Sequence, residues 1–214
     1  MTHATPAAGL LVVLTGPSGV GKGTVDAHLR RRCTDAVASV SVTTRPPRSG
    51  ERDGVEYHFV DRQRFAAMAE AGELLEWAEY AGNLYGTPRD PVRRAVADGR
   101  VIVLEIEVQG ALQVKAAEPA AVLVFISPPS FAELERRLRA RGTEAPDVIA
   151  RRLQWAREEL AERHRFDAEV VNDDADACAE RVCALIRRAR ARAGARRGDD
   201  VGGASEPGGS VADG

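Results

Sequence analysis

The hydrophobic positions of the chain fall into short unbroken runs rather than an alternating pattern. Residues 10–15 read LLVVLT, 101–107 VIVLEIE and 122–127 VLVFIS. Unbroken β-branched runs of this length predict strands buried on both faces of a parallel sheet. Residues 36–42 and 169–171 predict two more. Helical segments lie between them. Asp90 and Pro91 have the N-cap and N1 chemistry of a helix start, with Gly99 as its stop. Ser130 and Glu133 stand at capping-box spacing, opening a helix to about Arg141 with Gly142 as stop. Residues 147–164 and 174–193 are long helical stretches. Strands alternating with helices give an α/β fold, a central parallel sheet flanked by helices.

Two segments depart from that rhythm. Residues 43–93 hold short aromatic-bearing strand candidates (57–60, 74–80 and 83–85) around a helix at 62–71, as a small mixed α/β insertion would. Residues 130–152 are rich in arginine and predict a short lid. Residues 1–8 read as a flexible start. From Gly194 the sequence turns to Gly, Ser, Asp and Pro, so 194–214 reads as a disordered tail. The structured domain is therefore 9–193, with a core of 9–42, 94–129 and 153–193.

Composition narrows the class. With 214 residues, 44% hydrophobic and 29% charged, the chain can bury a core without staples. Its 30 basic residues against 32 acidic ones leave a net charge of −2, without the basic excess of a nucleic-acid binder. No apolar run is long enough to span a bilayer, and the first residues lack a signal-peptide pattern. The expectation is a cytoplasmic protein engaging neither membrane nor nucleic acid. Cys33, Cys178 and Cys183 have no framework spacing and read as three independent thiols. The four histidines are scattered and take no role.

Only two of the basic residues are lysines, Lys22 and Lys115. Lys22 falls in Gly16-Pro17-Ser18-Gly19-Val20-Gly21-Lys22-Gly23-Thr24, directly after the first strand and before a helix. GxxxxGK in that context is a P-loop, so the fold is expected to be that of the P-loop NTPases. Backbone N–H groups and the helix N-terminus cradle phosphate there, and Lys22 supplies a compact cation. Gly23 stands where Ser or Thr usually meets Mg²⁺. Adenylate kinases and their relatives often read GKGT, which the loop matches.

The rest of the chain resembles the guanylate kinases. The resemblance rests on SVSVTTRPPRSGE (39–51), DGVEYHF (53–59), ELLEWA (73–78), NLYGT (83–87), EIEVQG (105–110), ISPPS (126–130), Arg137-Leu138, RGTE (141–144) and VVND (170–173), in order and at family spacing. It implies phosphorylation of GMP, and of dGMP, by ATP with Mg²⁺, in purine nucleotide metabolism and GMP recycling. Residues 43–93 would bind GMP. Arg45, Arg48, Tyr57 and Tyr85 would hold its phosphate. Glu76, with Ser41 and Thr87, would read guanine, because one carboxylate can accept from both N1–H and the 2-amino group. Glu107 would also contact GMP. Residues 16–24, Arg141 and Asn172 would bind ATP. Lys22, Arg45, Arg137 and Arg152 would offset charge during transfer. No direct metal ligand stands out; Glu105 and Thr24 are the outer-shell candidates. Arg136, Arg139 and Arg151 read as solvated helix charges. A monomer or small homo-oligomer is expected.

Two alternatives stand beside this reading. A guanylate-kinase-like binding module would typically have lost the P-loop lysine or glycines, which are intact here. A P-loop kinase for adenylate or a phosphorylated sugar would have no use for Glu76 with Ser41 and Thr87.

Overall fold

The computed structural model describes residues 8–80, 82–140 and 145–202. The chain runs β1 (Leu10–Thr15), α1 (Lys22–Arg32), β2 (Ala36–Ala38), β3 (Ser41–Thr43), β4 (Tyr57–Phe59), α2 (Arg62–Glu70), β5 (Leu74–Tyr80) and β6 (Asn83–Pro88). It continues through α3 (Arg89–Ala97), β7 (Val101–Glu105), α4 (Val108–Ala117), β8 (Val122–Ser127), α5 (Phe131–Ala140), α6 (Pro146–Ala161), a 3₁₀ turn (Glu162–Arg165), β9 (Ala168–Val171) and α7 (Ala175–Gly202).

The three unbroken apolar runs become the middle of a five-stranded parallel sheet, ordered β2-β7-β1-β8-β9. Alternation along β1 explains why it is apolar throughout. Leu10, Val12 and Leu14 enter a core shared with α1, α6 and α7, while Leu11 and Val13 enter a second core under α3 and α4. Each such buried aliphatic side chain contributes about 1.5–3 kcal/mol. A second, four-stranded sheet, β4-β3-β6-β5, has a core of its own in Val42, Phe65, Met68 and Leu74, under α2. Its edge strand β5 meets α4 through Gln113, whose amide accepts from Trp77 N–H at 3.2 Å and donates to Trp77 C=O at 3.1 Å.

Several boundaries differ from the sequence expectation. Residues 36–42 are two strands in two sheets; the chain leaves the parallel sheet after Ala38, and Ser41 opens the mixed one. The insertion sheet thus begins before residue 43, and the expected end at 93 falls inside α3. That helix starts at Arg89 with Pro88 at its N-cap, not at Asp90. Pro91 still lies in the first turn, where its missing N–H costs nothing. The strand expected over 101–107 stops at Glu105, and Glu107 is the N-cap of α4. The expected lid end at 152 falls inside α6, so one helix joins lid and core. α7 continues past Gly194 to Gly202, carried by an Ala- and Arg-rich stretch of high helix propensity; residues 203–214 and 1–7 lie outside the described residues. Ser130 caps α5 as expected, its Oγ accepting from Glu133 N–H at 3.1 Å. Cys33 and Cys183, 150 residues apart, meet sulfur to sulfur between α1 and α7 with Cα atoms 6.5 Å apart, so only Cys178 is an independent thiol. Nothing in the spacing marks that pair; the α1–α7 packing creates it.

Candidate active site

The phosphate loop follows the C-terminal edge of β1. Gly16, Gly19 and Gly21 all hold positive φ. Gly21 is the N-cap of α1 at φ 97°, and a Cβ there would lie 2.8 Å from Asn172 Nδ2. The loop therefore needs glycine on both conformational and steric grounds. The first turn of α1 carries no acidic residue, leaving its positive end for an anion. Lys22 is buried, its Nζ donating to Gly16 C=O at 2.5 Å.

Residues from α5, α6 and the end of β9, far along the chain, brace this loop. Buried Asn172 donates from Nδ2 to Val20 C=O at 2.7 Å. Arg137 reaches Val20 C=O at 3.3 Å, Asn172 C=O at 3.1 Å and Glu133 at 2.8 Å. Arg152, from α6, donates to Ser18 Oγ at 2.5 Å. The arginines between them pair on the exposed helix surface, Arg136 with Glu133, Arg139 with Glu135 and Arg151 with Asp147. Arg141 lies outside the described residues.

A cavity of about 590 Å³ separates α1 and β7 from the insertion sheet. Ser41, Tyr57, Glu76, Tyr85, Thr87, Glu105 and Glu107 all line it. At one end Glu76 is 5% exposed and faces Thr87 across the β5–β6 ladder, accepting from Thr87 Oγ1 at 2.6 Å. Its other oxygen lies against Gly110 of α4, where a Cβ would come within 2.6 Å. Burial pushes the Glu76 carboxyl above its ordinary range, against the opposing Thr87 bond. A deeply buried carboxylate with an oxygen left over is a built acceptor for ligand donors.

Near the other end, Arg45 stands with its guanidinium carbon 5.4 Å from the Tyr57 ring centroid, and the Tyr57 and Tyr85 rings meet edge to face at 6.1 Å. Arg45 grips Glu51 with both terminal nitrogens, at 3.0 and 2.9 Å, and Glu51 also accepts from Arg48 N–H at 2.7 Å. The Arg45 fork holds the Glu51 carboxyl below its ordinary range. Glu51 had been legible only as a letter of the motif; here it organises the arginines. The Arg48 side chain is exposed at the same turn.

Three carboxyl groups gather near Lys22, two of them lining this cavity. Cleft walls push Glu105 upward, opposed by Lys22 and reinforced by Asp26 and Glu107. The third, Glu159 of α6, is absent from the sequence reading. It is half-buried, and burial beside the Glu107 carboxyl pushes its own carboxyl up to about 8. Its signal in the sequence was its spacing of seven from Arg152, which puts both on one face of the helix.

A parallel sheet with a phosphate loop at its carboxyl edge, facing a cavity with an arginine–tyrosine cluster and a buried carboxylate, defines a P-loop kinase for a nucleoside monophosphate. Comparison with known proteins narrows it. The family model described as "Guanylate kinase" matches residues 9–189. A guanylate kinase from Thermosynechococcus vestitus is 55% identical over 174 residues, 81% of this chain and 91% of that protein. One from Thermobifida fusca is 56% identical over 176 residues, 82% and 90% of the two. The crystal structure of guanylate kinase from Anaplasma phagocytophilum superposes with a TM-score of 0.70 at 34% identity, covering 86% of this chain and 87% of that one. The chain belongs to the guanylate kinase family. It is an enzyme that phosphorylates GMP, working on small nucleotide substrates. Among the described residues no helix is long and apolar enough to cross a membrane.

Proposed function

We propose that the phosphoryl donor is ATP and that GMP, with dGMP as a second acceptor, is converted to GDP (dGDP) by in-line transfer. The observation that carries this reading is the buried Glu76 carboxylate, one oxygen on Thr87 and the other against Gly110, in a cavity that reaches Asp26 and Arg30 of α1, the helix after the phosphate loop. In GMP the guanine N1–H and 2-amino group would donate to Glu76, while Ser41 and Thr87 complete the edge. Adenine would present an acceptor there and be rejected. Arg45, Arg48, Tyr57 and Tyr85 would take the phosphate, the arginine forks matching its oxygens.

ATP would lie with its phosphates on residues 16–24. Asn172 and Arg137 would act by shaping the loop they brace, and Arg152 and Arg141 by closing over the phosphates. The donor set beside the loop fits Mg²⁺: at Gly23 a Cβ would lie 3.6 and 3.8 Å from the Glu105 oxygens, so a hard carboxylate faces the start of α1. Glu105 and Thr24 would hold the water shell of the ion, which supplies neutralisation of phosphate charge. The acceptor phosphate has a second pKa of ~6, so it is already ionised near neutral pH and needs no general base. Lys22, Arg45, Arg137 and Arg152 offset repulsion between two anions brought into line. The insertion, with its own small core, and residues 130–152 would close over the substrates and exclude water. The setting proposed, on the family resemblance, is purine nucleotide metabolism and GMP recycling in the cytoplasm, by a monomer or small homo-oligomer.

The test is coupled ADP formation with ATP and Mg²⁺, comparing GMP, dGMP, AMP, CMP and UMP, with Lys22→Ala as control. Turnover with the guanine nucleotides alone, lost in the control, is the expected result. Equal turnover with AMP would sink the assignment of Glu76.

A further inference from the structure

The strand that carries Glu76 is irregular at the very point where it has to be exact. Along the β5–β6 ladder Leu74 pairs with Pro88 and Glu76 with Thr87, so Leu75 is an extra residue inserted just before Glu76. A bulge of this kind breaks the ladder locally and re-aims the side chains beside it. β5 is also the edge of its sheet, so on its outer side no strand holds its register. α4 takes that place. Gln113 lies three residues after Gly110, on the same face of the helix. Its side-chain amide accepts from Trp77 N–H at 3.2 Å and donates to Trp77 C=O at 3.1 Å, the two bonds a paired strand would make. Gly110 meanwhile backs the carboxylate of Glu76, the residue before Trp77. α4 is itself anchored in the core by fully buried Ala111 and Val114. The core thus touches two consecutive residues of β5, one through bare backbone and one through a side chain.

We propose that Gln113 is a positioning residue for guanine recognition: by holding both main-chain polar groups of Trp77 it pins β5 directly after the bulge and keeps the Glu76 carboxylate in register with the guanine edge. The proposal rests on the assignment of Glu76 as the guanine reader given above. Gln113 touches no substrate; its amide acts through the Trp77 backbone. A buried polar site discriminates only while its groups meet the correct edge of the ligand, so a small shift of β5 is costly to recognition. The fold tolerates the loss of Gln113 better, because the side chain is exposed and Leu75 still ties β5 to the core under α3 and α4.

Two substitutions remove the amide and keep the helix. Gln113→Ala puts the strongest helix former at an exposed position. Gln113→Met keeps the length and bulk but has neither donor nor strong acceptor. Steady-state kinetics with ATP and GMP, together with Tm, are measured for the full-length wild type, both variants, Glu76→Gln and the double variant Glu76→Gln/Gln113→Met. Each Gln113 variant is expected to lose about tenfold in kcat/KM for GMP, mostly through a raised KM, with the ATP KM within about twofold of wild type. In the Glu76→Gln background the change to Met is expected to cost less than about twofold, because the acceptor that Gln113 aims is already gone. A purely structural amide would lower Tm and leave the GMP constants unchanged, and that result would overturn the proposal. So would a tenfold loss in both backgrounds, or an ATP KM that rises as much as the GMP KM. Glu76→Gln with wild-type GMP kinetics would overturn the guanine-reader assignment, and the role of Gln113 with it. An impaired Glu76→Gln beside two Gln113 variants of wild-type kinetics would overturn the role of Gln113 alone.

Discussion

Glutamine in place of Glu76 tests the guanine reader most sharply, because it changes one oxygen to a nitrogen inside a site with no room to rearrange. Glu76 is 5% exposed, one oxygen is committed to Thr87 at 2.6 Å, and the other is backed by Gly110, where even a Cβ would lie 2.6 Å away. In the variant one guanine donor loses a hydrogen bond to a charged group, worth about 1.5–3 kcal/mol, and an amide N–H is left facing another donor, costing about 1–3 kcal/mol. Together these amount to about 2.5–6 kcal/mol, or a fall in kcat/KM for GMP of roughly 10²- to 10⁴-fold. The ATP KM is expected to stay put, since no residue of the phosphate loop lines the cavity that holds Glu76. The fold responds differently. Burial raises the Glu76 carboxyl in the folded state, so the folded protein binds its proton more tightly than the unfolded chain does. Such a group favours the fold below its unfolded pKa and loses that advantage as pH rises through the folded value. Glu76→Gln is therefore expected to hold or raise Tm at pH 7–8 while catalysis collapses. Steady-state kinetics for GMP, AMP and ATP alongside a thermal melt check this. Equal losses toward GMP and ATP, or a Tm that falls with activity, would refute the reasoning.

Other perturbations separate the remaining parts. Gly110→Ala should improve helix propensity in α4 yet push the Glu76 carboxylate out of place, lowering kcat/KM for GMP at least about tenfold with little effect on the ATP KM. Removal of residues 195–214 should leave turnover within about twofold, because both substrate sites are built from residues before them; a larger loss of kcat would count against it. Asp176 bonds Arg32 and His28 of α1, and those contacts lower its carboxyl to about 2. A depressed carboxyl contributes stability above its unfolded pKa and loses it as pH falls through the folded value. Asp176→Asn should thus give a small Tm deficit at pH 7, small because the pair is exposed, that fades between about pH 4 and 2 in thermal melts.

The parallel sheet was legible because its strands are buried on two faces, which leaves unbroken apolar runs that no other element produces at that length. The phosphate loop was legible because its glycines and Lys22 answer to one ligand and sit between a strand and a helix. What the sequence hid depends on partners far along the chain. Residues 36–42 look like one strand until β7 claims its first half and β6 its second. Glu107 looks like a strand residue until α4 starts under it. Asn172 is expected from the sequence to bind ATP, and the sequence gives no sign that its Nδ2 also donates to Val20 C=O in the phosphate loop. Glu159 lies in a run of ordinary helix charges, REEL, and only its half-buried place sets it apart from exposed Glu158.

The scarcity of lysine has a spectroscopic consequence. Lys22 lies in the phosphate loop at the carboxyl edge of the parallel sheet, while Lys115 is tied to Ala121 C=O at 2.7 Å and to Asp167 at 2.9 Å, at the opposite edge where β8 begins. Isotope placed in lysine side chains would therefore produce two resonances from the whole chain. One would report on every nucleotide that enters the loop, and the other would serve as a reference within the same molecule, untouched by the chemistry.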